Sequence, residues 1–290
     1  MYSADFEAIG THWRIDIFDE ISAETSEKSI EKIKARIDVF DRAYSRFRAD
    51  SLVTEMSHRA GTYTLPDDAG PMFDLYQELY RRTNGLFTPL IAKTLVEAGY
   101  DAVYSLEPQE LHHPPTWDEA LEYVYPKLTL KQPALLDVGA AGKGYIIDIV
   151  AKILYTEGIA AFCVDAGADM FYAHPTNKLL EVGLENPFDA TEVIGVATIA
   201  NESICGSAGN RRAWKNFHHI IDPSTLASPR TIAAVWTIAD SALLADALST
   251  CLFFVSPATL APHYDFEYVI LYQDFSIEKS PHFPATFFKK

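Results

Sequence analysis

The apolar positions of this chain fall into two textures. In the first half they recur at helical steps. Ile30, Ile33, Ile37, Phe40, Tyr44 and Phe47 follow one another at intervals of three and four, with charged residues between them, and predict one long amphipathic helix. Residues 6–18 read as a strand before it. A second helix is predicted over 71–83, with Met72, Leu75, Tyr76 and Leu79 inward and Asn84-Gly85 as its C-terminal cap. Residues 101–135 hold five prolines and little periodicity, so a loop-rich crossing with short helical pieces is expected there. A further helix is expected over roughly 144–157, stopped by Gly158.

From residue 160 onward the apolar runs are short and β-branched. AAFCVDA, LLEVGLE, VIGVATIA, TIAAVWTIA and YVILYQ predict strands. SALLADALSTCLFFV, between the last two, predicts a helix capped by Asp240 or Ser241. Strands with few crossover helices between them favour an α+β fold with antiparallel pairing, in one domain spanning 1–290.

Composition narrows the function. The formal net charge is −16, and the one dense basic run is NRRAWK at 210–215. Such a surface disfavours nucleic acid and anionic membrane. No apolar run approaches a membrane span. Cys163, Cys205 and Cys251 are an odd, scattered set without a CxxC spacing, so neither a disulfide framework nor a zinc site is expected. The N-terminus lacks a basic n-region and an apolar h-region. The expectation is a cytoplasmic protein, or a periplasmic or membrane-attached one if a leader has been trimmed.

One stretch stands out against the acidic background: LDVGAAGKGYIID, 136–148. It matches neither a Walker A loop nor a Rossmann fingerprint. Its glycines would still let backbone N–H groups approach an anion, the following helix offers its positive end, and Lys143 adds a charge. Asp137 could accept a hydrogen bond from a ligand. A tight strand-to-helix turn with a solvated lysine fits the same residues.

Other stretches add chemistry. ADALST places Asp246 and Thr250 one turn apart on one helix face, a pair of oxygen ligands suited to a hard cation such as Mg²⁺. The plainer alternative has Thr250 bonded back to its own helix and Asp246 on the surface. HHIIDP, 218–223, offers a histidine as base or as a turn cap. His112-His113, among prolines, reads as solvated loop. Phe47 at the end of the first helix could stack on a flat ring or belong to the core. Ser207 lacks a GxSxG context, which argues against a hydrolase nucleophile.

Taken in order, AIGTHW, YSRFRADS, GLFTP, LDVGAAGKGYIID, VDAGADM, SAGNRRAW, HHIIDP and ADALST resemble the ApbE-like FAD:protein FMN transferases, from residue 8 to residue 250. The resemblance implies a two-lobed, T-fold-like α+β fold with a flavin cleft between the lobes. It implies an enzyme that uses Mg²⁺, cleaves FAD, passes FMN to a Ser or Thr hydroxyl of an acceptor protein and releases AMP. Carried over by motif, Ala140 would give a backbone carbonyl to the metal, beside Asp246 and Thr250. Asp137 and Lys143 would contact FAD, with Ile9, Phe47, Leu86, Phe87, Thr88 and Ile221 lining its site. His219 and Asp246 would be the catalytic pair. An FAD pyrophosphatase or a non-catalytic flavin-binding protein would share the same pocket.

The chain also departs from the family's pattern. Thr88 stands where Asp is frequent, and Gly142 where Ala is. GAD at 167–169 replaces GGD or GGN. Leu226 replaces the glycine of a DPxTG turn, so that turn is expected to differ.

Overall fold

The computed structural model describes residues 1–288. Residues 6–18 form most of a hairpin rather than one strand. β1 (Tyr2–Ala8) and β2 (Thr11–Ile17) pair antiparallel across Ile9-Gly10, whose φ angles are +46° and +71°. Two positive φ values are what a two-residue hairpin turn requires. α1 (Ala23–Tyr44) is capped by Ser22, whose hydroxyl accepts the Thr25 N–H. It buries the expected stripe from Ile30 to Tyr44, each large side chain contributing about 2 kcal/mol. The helix stops at Tyr44, so Phe47 lies in the turn beyond it, ahead of α2 (Leu52–His58).

β3 (Gly61–Thr64) leads to α3 (Gly70–Arg82), which buries Met72, Tyr76 and Leu79 and half-buries Leu75. Asn84 and Gly85 take φ of +52° and +86°, and the Gly85 N–H returns to the Tyr80 carbonyl, closing the expected cap. After a short turn of helix at Pro89–Ile91 come α4 (Ala92–Glu97) and α5 (Trp117–Ala120). The proline-rich crossing also hides a hairpin, β4 (Leu121–Val124) with β5 (Lys127–Leu130), and β5 pairs with β3. Alternation at Leu121, Tyr123, Leu128 and Leu130 faces the core, but each strand is only four residues long.

α6 (Gly142–Thr156) begins two residues earlier than expected. Then follow β6 (Phe162–Ala166), β7 (Met170–Ala173), β8 (Leu180–Glu185), β9 (Val193–Ile199), β10 (Ser203–Ala208), β11 (Ala213–Trp214), β12 (Phe217–His218) and β13 (Ile232–Ala239). α7 (Ala242–Cys251), α8 (Pro257–Leu260), β14 (Glu267–Tyr272), β15 (Ile277–Lys279) and β16 (Ala285–Phe287) complete the described chain. All five predicted strands of this half are present. β7, β10, β11, β12, β15 and β16 are additions: β10, SICGSA, is poor in strand formers, and its pairing with β7 and β13 fixes it. Ser241 caps α7 by accepting the Leu244 N–H, and the helix ends at Cys251 rather than 255.

The order β1-β2-β6-β7-β10-β13-β14-β15 makes one eight-stranded sheet, antiparallel at every pairing, as expected for the α+β class. α7 packs on β10 and β13, and α6 packs on α7, β6 and α1. No helix among the described residues is long and apolar enough to cross a membrane. The three cysteines are buried and free.

Candidate active site

The glycine–lysine turn is built from both sides. The Asp137 N–H bonds the Pro89 carbonyl at 2.8 Å, and the Val138 carbonyl accepts from Gly142 at 2.7 Å. Gly139 donates its N–H to Asp137 Oδ1 at 2.6 Å. Two residues on, α6 touches α7. A Cβ on Gly144 would lie 2.0 Å from the Ala242 carbonyl oxygen, so only glycine fits. At this crossing each helix caps the other. Asp246 of α7 accepts the Gly144 N–H at 2.9 Å, while Asp148 of α6 accepts the N–H groups of Ala242 and Leu243 at 2.8 and 2.9 Å. First-turn N–H groups that a lone helix would leave unpaired are thereby satisfied.

Asp246 is 3% exposed, and burial raises its carboxyl above the usual range against the pull of Lys143 and the turn's N–H groups. Burial also pushes Asp148 up to about 6, despite its two N–H bonds. Tyr76, fully buried, is raised well above its ordinary value by burial, with Asp137 and Asp246 adding to the shift. Its hydroxyl therefore lies in the field of both carboxylates. Lys143 is ion-paired with Asp169, a fully buried carboxylate between β6 and β7 whose other oxygen accepts the Gly206 N–H at 2.9 Å. Asp137 is held likewise, by the Arg46 guanidinium at 2.5 Å.

Of these groups Asp137, Lys143 and Asp246, with Arg46, open onto one cleft of about 640 Å³. The sequence-predicted residues all line it. Asp137, Ala140 and Lys143 come from the turn before α6 and its first residues, and Asp246 and Thr250 from α7. Ile9 comes from the β1–β2 turn, and Leu86, Phe87 and Thr88 from the loop after α3. Phe47, His219 and Ile221 complete the set. Asp246 is neither on the surface nor without a partner, and Thr250 meets Ser207 at 3.3 Å rather than a carbonyl of its own helix. Ser207 also bonds Ser249 at 2.7 Å and, among the described residues, is bonded to no histidine or acid.

His219 is half-buried, and its N–H is bonded to the Arg212 carbonyl at 3.1 Å. Burial, then the charges of Arg212, His218 and Lys143, push its pKa down to about 3. The imidazole is therefore neutral at physiological pH and holds a lone pair for a proton. His112 and His113 are exposed and outside the cleft, as expected.

The far end of the cleft is aromatic. The Arg46 guanidinium lies 4.2 Å from the Phe47 ring centroid, and Tyr104 stacks on the same ring at 5.3 Å and 5°. Arg46, Tyr104, Asp169, Arg211 and Arg212 were not singled out from sequence. Arg46, Asp169, Arg211 and Arg212 sit inside the motifs named above, where a charge among small or apolar neighbours was the available signal. Tyr104 gives no such signal.

Two of the motif departures sit on left-handed backbone. Leu226 takes φ of +56°, a left-handed conformation that favours glycine. Its N–H bonds the Asp222 carbonyl at 2.8 Å. Ala168 in GAD likewise sits at φ +77°.

Comparison with known proteins finds relatives along most of the chain. An FAD:protein FMN transferase of Klebsiella pneumoniae is 24% identical over 284 residues, covering 87% of this chain and 78% of the relative. One from Escherichia coli K12 is 23% identical over 279 residues, covering 87% and 77%. Among solved structures, the ApbE protein of Thermotoga maritima superposes with a TM-score of 0.85 at 21% identity, covering 97% of both chains. The flavin transferase ApbE of Vibrio cholerae gives 0.80 at 18%, also covering 97% of both. The sequence profile of the ApbE family matches residues 9–265, most of the chain, and the chain belongs to that family.

Proposed function

We propose that this protein is a flavin transferase: its cleft binds FAD, and FMN is transferred from it to a Ser or Thr hydroxyl of an acceptor protein. The observation that carries the reading is the α6–α7 crossing, which sets a buried carboxylate against the glycine–lysine turn on one wall of a cleft whose far end is aromatic. In the reaction the acceptor's oxygen attacks the phosphorus of the FMN half. The bond from that phosphorus to the bridging oxygen breaks, and AMP leaves with the bridging oxygen. Neutral His219 takes the proton of the attacking hydroxyl, and the approach of an anionic diphosphate raises its basicity.

The donors present suit a hard divalent ion. Asp246 is buried with no cation in ion-pair contact among the described residues, because Lys143 is engaged by Asp169. Among the described residues no group of three His, Cys, Asp or Glu side chains is placed to hold a metal there, which disfavours zinc. One carboxylate, the Thr250 hydroxyl and the Ala140 carbonyl would hold Mg²⁺, a cation that keeps positions for water and phosphate. Bound there, Mg²⁺ would neutralise charge on the non-bridging oxygens.

Incubation with FAD and Mg²⁺ tests the reading. AMP release that depends on an acceptor, with a mass gain on the acceptor equal to covalent FMN, supports transfer. AMP and free FMN without acceptor indicate a pyrophosphatase. FAD binding without AMP release overturns both catalytic readings.

A further inference from the structure

In a chain of net charge −16, a cleft for a dinucleotide needs cations that are free to meet its diphosphate. Five cationic side chains line the cleft: Arg46, Arg48, Lys143, Arg211 and Arg212. Four are already spent on carboxylates. Arg46 holds Asp137, Arg48 holds Asp41 and Asp50, Lys143 holds Asp169, and Arg211 holds Glu185. Arg212 has no ion-pair or hydrogen-bond partner for its side chain among the described residues.

We propose that Arg212 is the side chain that binds the diphosphate oxygens of the substrate, the task sequence reading gives to Lys143. The inference rests on the FAD reading above and deepens it. Lys143 already neutralises Asp169, a fully buried carboxylate, so a phosphate would meet it as half of an ion pair, and leaving Asp169 would strand an uncompensated charge. Arg212 breaks nothing. Its backbone is fixed, since its carbonyl accepts the His219 N–H at 3.1 Å. Two residues on, the Trp214 indole donates to the Ala98 carbonyl at 2.7 Å. Its guanidinium is exposed to the cleft, and its field reaches three other cleft groups, His219, Asp246 and Tyr100. The planar fork suits two phosphate oxygens at once, which an ammonium does not.

The two halves of the substrate separate phosphate binding from ring binding. ADP carries the diphosphate without the flavin, and riboflavin carries the ring without phosphate. Calorimetry on the full chain in Mg²⁺ buffer compares wild type, Arg212→Ala and Arg212→Lys. Arg212→Ala should weaken ADP at least tenfold, and Arg212→Lys several-fold. Riboflavin should stay within twofold in both, and the salt dependence of ADP binding should become shallower. ADP affinity within twofold of wild type in Arg212→Ala overturns the proposal. So does equal weakening of ADP and riboflavin, which would mean that Arg212 acts through the shape of the cleft. A wild-type protein that binds neither ADP nor FAD fells the flavin reading, and this inference with it. One that cleaves FAD while Arg212→Ala keeps its ADP affinity fells the inference alone.

Discussion

The two ends of the cleft are made differently. At the α6–α7 end the side chains stand on helices, each helix capped by a buried carboxylate of the other, and Gly144 packs against the Ala242 carbonyl with no room for a methyl. At the aromatic end they stand on loops. Phe47 lies past the end of α1, and Tyr104, 52% exposed, sits on a segment where Tyr104 and Leu106 both take φ near +50°, +53° and +54°. Left-handed backbone at bulky residues costs on the order of 1 kcal/mol each and persists where function uses it. One end is held by short hydrogen bonds that permit a single arrangement. The other is held by stacked rings that can slide apart. On the proposed function, chemistry that depends on position belongs at the first, and ring recognition that tolerates movement at the second.

Asp246→Ala is the sharpest way to break this contrast. It removes the buried carboxylate and, with it, the proposed cation and the bond to Gly144. AMP release from FAD should fall at least about 1,000-fold, roughly 4 kcal/mol of barrier. Thermal stability should change little, because a buried carboxylate that has no cation in contact leaves with the bond. Unchanged AMP production would remove Asp246 from the site. Gly144→Ala attacks the same crossing through shape. A Cβ 2.0 Å from a backbone oxygen forces the helices apart, so denaturant unfolding should show a loss of about 3 kcal/mol. Wild-type stability in that variant would mean that the two helices can separate freely.

The helix-built end was legible in the sequence and the loop-built end much less so. Asp246 and Thr250 declare themselves by helical spacing inside an apolar run, and the glycines around Lys143 mark close backbone approach whatever lies opposite. The partners were not legible. Asp169 meets Lys143, and Arg46 meets Asp137, across 26 and 91 positions of chain, a distance that local pattern does not span. Tyr104 was invisible for a related reason: its stacking on Phe47 depends on where a proline-rich loop turns. The fold class was readable from strand texture, but β10 and the β4–β5 hairpin were not, because tertiary pairing and not propensity makes them strands.

A pH series probes the border between the two ends, where His219 stands. Its folded pKa is depressed to about 3 from 6.5, so its neutral burial adds stability above pH 6.5 that is lost as pH falls toward 3. Asp148 acts with the opposite sign. Its carboxyl is raised from 3.8 to about 6, so keeping it protonated favours the fold at low pH, and that advantage fades as pH rises through 6. The two partly cancel between pH 4 and 6. His219→Gln isolates one of them: wild type should lose about 2 kcal/mol relative to the variant between pH 7.5 and 4.5, read by urea unfolding. Parallel stability profiles would show that the imidazole is solvated in both states.

At the aromatic end the expected effects are smaller and opposite in sign for two neighbours. Phe47→Leu removes the ring and should weaken riboflavin about fivefold, close to 1 kcal/mol. Tyr104→Ala removes the tyrosine that already covers Phe47 at 5.3 Å. A flat ligand inserted between those two rings needs them about 7 Å apart, twice a stacking distance of roughly 3.5 Å. Losing Tyr104 should therefore strengthen riboflavin binding slightly, by about twofold. A large loss in Tyr104→Ala would make it a second binding plate instead of a competitor.

A further effect, on stability alone, comes from the turn after Pro223, which lies away from both sets of helix caps. Leu226 sits at φ +56° with its N–H bonded to the Asp222 carbonyl, and Asp222 Oδ1 also accepts the N–H groups of Ser224 and Thr225 at 2.7 and 3.2 Å. The hydrogen bonds fix the backbone, and the leucine Cβ then bears about 1–2 kcal/mol of left-handed strain. Glycine relieves that strain and returns about 0.5–1 kcal/mol through the greater freedom of its unfolded chain. Leu226→Gly should thus raise stability by about 0.5–1 kcal/mol, a shift of one to a few degrees in Tm for a chain of this length. Leu226 is absent from the cleft lining, so FAD turnover should not follow it. A fall in Tm would mean that contacts of the leucine side chain outweigh the strain at its backbone.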